Sequence, residues 1–278
     1  MYKKFQITYL LSFSAILLFG QNITVNNINE RRSTSDGYFD NKCEIELRVS
    51  GDEIRKFKFL KFSKIDKAID DFDIDLLYDD KNDFSYEKIE DDVNLKLEIK
   101  KPSRKATVIK EISGEISLFN PTEANGSVVK ISNYQAKTNE NLLPVGLGVQ
   151  VVFLTKESLE KFSKEQEKKK EEELKKLSEE ERKMAEGLLS LLDGISYLSG
   201  DPNNISFYVE GDRSKLVDLY FVDLDGQKVN TNGWSSFNSI LEYIFSEPIN
   251  PKWTLVFNIE TPESVKKIPF KISNAFLP

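Results

Sequence analysis

The densest run of chemistry-bearing side chains is DKAIDDFDIDLLYDDKNDFSYEKIEDD, Asp66 to Asp92, with twelve carboxylates against three lysines. Calcium is the natural ligand for such oxygen density. The spacing does not build a calcium loop, however. Asp71, Asp73 and Asp75 are followed by Leu76 where the sharp turn of that loop needs Gly, and Asn82 stands where a bidentate Glu must close it. Read as a strand, the segment sends Asp71, Asp73 and Asp75 to solvent and Phe72, Ile74 and Leu76 inward. A second fragment, DLDGQKV (Asp223 to Val229), places Asp-Gly between alternating apolar residues and reads as a turn. No metal site and no cofactor is expected.

The chain contains no histidine. That removes imidazole acid/base catalysis, Ser-His-Asp and Cys-His nucleophile systems and the usual zinc sites. Carboxylates, Lys, Tyr and Ser are left for catalysis, without a Gly-x-Ser-x-Gly elbow or a phosphate-cradling glycine loop. A carboxylate-dependent hydrolase needs two acids facing each other across a cleft, and no acidic pair singles itself out. The better contact candidate is NTNGWSSFNS (Asn230 to Ser239), where Trp234, Phe237 and Asn238 stand among small polar residues in an expected loop. Aromatic rings in such company stack on sugars or anchor a protein contact.

Most of the elements that must position these residues are strands. IELRVSGD (Ile45 to Asp52) falls on ISFYVEGD (Ile205 to Asp212) at an offset of 160, and the apolar segments FKFLKF and LVDLYFV follow. The same offset lays NLKLEIKKPSRKATVIKEIS (Asn94 to Ser113) on TLVFNIETPESVKKIPFKIS (Thr254 to Ser273), each with the alternation of a Pro-interrupted hairpin. The expected fold is mainly β: two immunoglobulin-like antiparallel β-sandwich modules, an internal repeat, at 45–154 and 197–278. Residues 117–154 add the strand candidates GSVVKISNYQ and GVQVVFL to the first module, and 21–44 form an N-terminal extension. The Cys-Trp-Cys hallmark of true immunoglobulin domains is absent, so the likeness is one of architecture.

Between the modules, 155–196 read as a long charged helix that Thr155 caps and Gly194 ends, with a capping box at Ser178 and Glu181. From Glu160 to Lys183 it holds nine acidic and nine basic residues, several in i,i+4 pairs worth about 0.2–0.5 kcal/mol each. Met184, Leu188, Leu191 and Ile195 make the cleanest part of an apolar seam. The helix reads as a charged spacer packing its C-terminal turns on a sandwich, or alternatively as a short coiled coil that binds a partner.

At the start of the chain, Lys3 and Lys4 precede the apolar run ITYLLSFSAILLFG, the layout of a signal peptide over 1–20 cleaved near Gly20 or Gln21. No later stretch is long enough to span a membrane. Cys43 is the only thiol, so stability must come from the core without a disulfide. The net charge of −7 disfavours nucleic acid. The expectation is an exported, noncatalytic structural or protein-binding component of a bacterial periplasm or cell surface. Its partner would be another envelope protein, or a second copy through the helix. A carbohydrate-binding or adhesin-like module is the alternative, with a glycan as ligand.

Overall fold

Apolar and polar residues alternate strictly in segments such as Lys42–Ser50 and Val93–Lys100, and strands are the main regular structure of the chain. A computed structural model describes residues 22–32, 42–78, 84–90, 93–161, 164, 168, 202–237 and 239–278. The fold is mainly β, and its sheets divide between two units. One holds Met1–Asn82, Glu87–Leu118 and Lys267–Pro278; the other holds Asp83–Tyr86 and Phe119–Lys266.

The first unit has β1 (Asn22–Glu30), β2 (Lys42–Ser50), β3 (Phe59–Asp70), β4 (Glu87–Lys88), β5 (Val93–Lys100), β6 (Val108–Phe119) and most of β14 (Val265–Phe276). Its sheets run β1-β2-β5 and β14-β6-β3-β4. Register explains the core: Cys43, Ile45, Leu47 and Val49 pair with Ile99, Leu97, Leu95 and Val93, and all eight are buried. The intervening residues face out and pair by charge, Lys42 with Glu98 and Lys96 with Glu44. Burial pushes the Cys43 thiol up to about 12, so it packs as a small apolar group. From the second sheet, Leu60, Phe62, Ile112, Ile116, Ile268 and Phe270 are buried.

The second unit has β7 (Val128–Ile131), β8 (Val149–Leu154), β9 (Asn204–Gly211), β10 (Leu216–Val222), β11 (Gly233–Phe237), β12 (Ile240–Ile244) and β13 (Thr254–Ile259). These make two antiparallel sheets, β11-β12-β9-β8 and β10-β13-β7, enclosing one core. Phe221 stands at its centre, with ring centroids of Tyr134, Phe245 and Trp253 at 5.6, 5.3 and 6.2 Å.

Three expectations need correction. The Pro-interrupted segments are not hairpins. β5 pairs with β2 while β6 lies in the other sheet, and β13 belongs to the second unit while β14 from Lys267 on belongs to the first. Alternation sets which face of a strand is buried but leaves its neighbour open. The turn at buried Pro102 carries the chain from one sheet to the other; its carbonyl accepts from Arg32, and Asp70 accepts from the Ser103 N–H at 3.0 Å. Second, residues 117–154 do not extend the first module: β7 and β8 pair within the second unit. Part of the expected N-terminal extension is β1, a full strand of the first unit.

Third, Asp71 to Leu76 is a turn rather than a strand. Buried Asp70 accepts from the N–H groups of Phe72 and Ile74 at 2.9 and 3.0 Å, and Asp73 adopts φ 59°. Leu76 is buried as alternation suggests, but Phe72 and Ile74 are exposed. A side chain that captures two backbone donors outcompetes the ladder there.

The charged helix starts where its cap predicts. The Ser158 N–H donates to the Thr155 hydroxyl at 3.2 Å, and 156–161, 164 and 168 are helical. The described residues show this short start and no long helix. The seam at Met184, Leu188, Leu191 and Ile195, the break at Ser178 and the signal segment all lie outside them.

Candidate functional site

The sequence places Trp234 in a loop; the structure places it on β11, the edge strand of the four-stranded sheet. Residues 233–237 pair with 244–240 in unbroken register, Trp234 opposite Tyr243 and Ser236 opposite Leu241. Leu241 and Tyr243 face the core, so Trp234 and Ser236 project to that side. Trp234 is nonetheless 66% exposed. The backbone of Phe237 ends the pairing opposite Ile240, and Asn238 lies outside the described residues.

Arg213 reaches β11 from the turn after β9, its guanidinium donating to the Ser236 hydroxyl at 2.8 Å. The turn is held by Asp212, which accepts from the Ser214 N–H at 3.2 Å. Gly211 precedes it at φ 89°, where a Cβ would stand 2.5 Å from the Gly148 carbonyl oxygen. Only Gly fits that position.

An edge strand exposes unpaired backbone donors and acceptors, and proteins usually guard them. The other edges carry such guards. β1 has a bulge between Val25 and Asn27, and β4 is two residues long. β5 carries Lys96, Glu98 and Lys100; β14 carries Pro269 among lysines; β7 carries Lys130. Thr138 and Asn141 bridge to β8, and Lys228 bridges to β10. β11, Gly-Trp-Ser-Ser-Phe, has no charge, no proline and no bulge.

On the opposite face of the same sheet, Ser235 and Ser206 flank Glu242 from the neighbouring strands. Glu242 is 8% exposed and lines a cavity of about 350 Å³ with Asn204, Gln135, and Lys156 and Leu159 from the helix start. Burial raises its pKa, while hydrogen bonds from Asn204 and Ser235 pull the other way. The sequence gives no hint of this, because in ILEYI Glu242 takes the outward position of an alternating strand. The ionised form is penalised in the fold, so the stabilising neutral state is fully present below the ordinary value of 4.5 and lost as pH rises through the raised value. Glu242→Gln is therefore expected to raise the melting temperature at neutral pH. That gain should vanish in acid, as melts across the range would show.

Among the described residues no three metal-ligating side chains converge. In the acidic run, Asp71 accepts from the Thr107 hydroxyl at 3.0 Å and Asp73 from Lys110 at 2.6 Å. Asp223 forms the expected turn, accepting from the Asp225 and Gln227 N–H groups at 2.9 and 2.8 Å, with Gly226 at φ 77°. No described helix is long and apolar enough to cross a membrane. The chain matches no family model, no curated protein and no solved structure.

Proposed function

We propose that this chain is an exported, noncatalytic component of a bacterial envelope that works by protein contact, with β11 as its contact strand. The observation that carries this reading is the edge of β11, unguarded among the described residues, with Trp234 exposed on it. An added strand would gain affinity from the backbone ladder and specificity from the ring. The amino-terminal basic and apolar segment supports export.

The two units are mounts built on one immunoglobulin-like plan. In each, three successive strands, β1-β2-β3 and β8-β9-β10, put the first two in one sheet and the third in the other. β5 and β12 then join the second strand of each set, and β6 and β13 join the third. The Gly-Asp pairs that close β2 and β9 support duplication, with Gly51 at φ 128° and Gly211 at φ 89°. The aligned stretches of β5 and β13 are not equivalent in this scheme, so the offset of 160 holds for the opening strands alone.

The test is crosslinking capture from the native envelope fraction by the mature chain and by Trp234→Ala. The variant should capture at least tenfold less of a defined protein, since a central aromatic anchor contributes about 2 kcal/mol or more. Near-UV circular dichroism should be unchanged. Equal capture by both would sink the reading. Capture of glycan in place of protein, lost with the ring, would favour the carbohydrate-binding alternative, for which the neighbouring Ser236 hydroxyl and Arg213 are suitable groups.

A further inference from the structure

We propose that the partner of β11 is a second copy of the same strand, paired antiparallel about a two-fold axis through Ser235. This rests on the reading of β11 as a contact strand and names what occupies it. The strand is self-complementary in that register. Ser235 meets Ser235, Trp234 meets Ser236, and Gly233 meets Phe237, so the large residues stand opposite small ones. No charge on the strand opposes its copy, and the regular register of 233–237 needs no rearrangement to accept a fifth neighbour.

Arg213 gives the match its polarity. It is held at the Ser236 hydroxyl at 2.8 Å, and in this register Ser236 lies opposite Trp234 of the second copy. Directly opposed residues share a face. The guanidinium of each copy is thereby brought to the indole of the other, a cation–π contact made twice. A protein strand of other sequence would need to supply its own aromatic opposite Ser236; the second copy has it by symmetry.

Closure also favours a second copy. Pairing about a two-fold uses the β11 edge of both chains at once. The far edge of the joined sheet is β8, already bridged by Thr138 and Asn141. The assembly stops at two chains, which is how an unguarded strand avoids open-ended aggregation.

The experiment is sedimentation of the full mature chain over a concentration series, beside Trp234→Ala, Arg213→Glu and Ser236→Pro. A monomer–dimer equilibrium is expected. Loss of the paired ring contacts should raise its Kd about tenfold or more in each of the first two variants. Ser236→Pro should abolish the dimer, because the pairing of Ser235 with Glu242 turns the Ser236 N–H to the open edge, where a second copy would accept from it; if it fails to fold, the two side-chain variants decide the matter. Ser235→Cys with a short bis-maleimide should give a covalent dimer, since the two positions meet at the axis and Cys43 is buried. A chain that sediments as a monomer at its highest soluble concentration overturns the proposal. If it still captures an envelope protein in a Trp234-dependent way, the contact strand stands and only its occupant was misassigned. A dimer indifferent to all these substitutions and uncrosslinked at 235 also overturns it.

Discussion

Deletion of residues 267–278 is expected to unfold the first unit and leave the second intact. The deleted segment is almost all of β14, which lies beside β6 at the edge of a four-stranded sheet in a unit otherwise built from the first 118 residues. It buries Ile268, Phe270 and Ala275. The Phe270 ring lies 5.7 Å from that of Phe62 and covers Gly114, 3.1 Å from where a Cβ would stand. Losing the two large side chains alone removes about 3–6 kcal/mol of apolar burial, against a typical domain stability of about 5–15 kcal/mol. The lost ladder and the bared edge of β6 add to that cost. The second unit should survive because β7, not β14, lies beside β13. Hydrogen exchange would read both results: amides of β3 and β6 lose protection, those of β9 and β13 keep it. A synthetic 265–278 peptide should restore the lost protection. Full protection of β6 in the truncated chain would show that the last strand is dispensable.

Phe221→Ala is expected to do the converse. Phe221 is fully buried, and besides its three nearest aromatic neighbours it meets Phe207 at 6.3 Å and Tyr243 at 6.4 Å. Its removal leaves a cavity among rings too large to close over it, at a cost of about 3–5 kcal/mol. For a unit of this size the melting temperature should fall on the order of 10 °C. Trp253, at 6.2 Å, reports the loss through its fluorescence, while Trp234 on the exposed edge should not respond. Phe221→Leu, which refills part of the volume, should recover more than half of the loss. A fall within a degree or two for Phe221→Ala would mean that the rings repack around the gap.

The two variants together test the chain's least expected property. The first unit takes its edge strand β14 from a stretch far along the sequence, whereas the second unit is, but for Asp83–Tyr86, the continuous run Phe119–Lys266. Sequential synthesis thus leaves the first unit without its edge strand until Val265–Phe276 is made.

The alternation of KCEIELRVS and VNLKLEIK was enough to name the buried faces of β2 and β5, and all eight inward residues are where it puts them. The cap at Thr155 and the Asp223 turn were equally legible, because a side chain that satisfies a backbone group two or three residues away is a local event. Segment 71–76 misled for the same reason in reverse. Asp70, one residue before the apparent strand, captured its backbone, and no periodicity announces that. The exposure of Trp234 agrees with its polar company, but neither its strand nor the approach of Arg213 was legible, since 21 positions separate the two.

What the sequence determined by itself is local: the strand-rich composition, the faces of the main strands, the turns, and the absence of imidazole chemistry. What the tertiary structure decided is which strand lies beside which. A period of two fixes the side to which a residue points, while the backbone ladder is chemically the same for every neighbour. The choice among neighbours therefore falls to the packing of the whole sheet. That packing sends β14 back to the first unit, buries Glu242 on an outward position and, among the described residues, leaves β11 with one side unpaired.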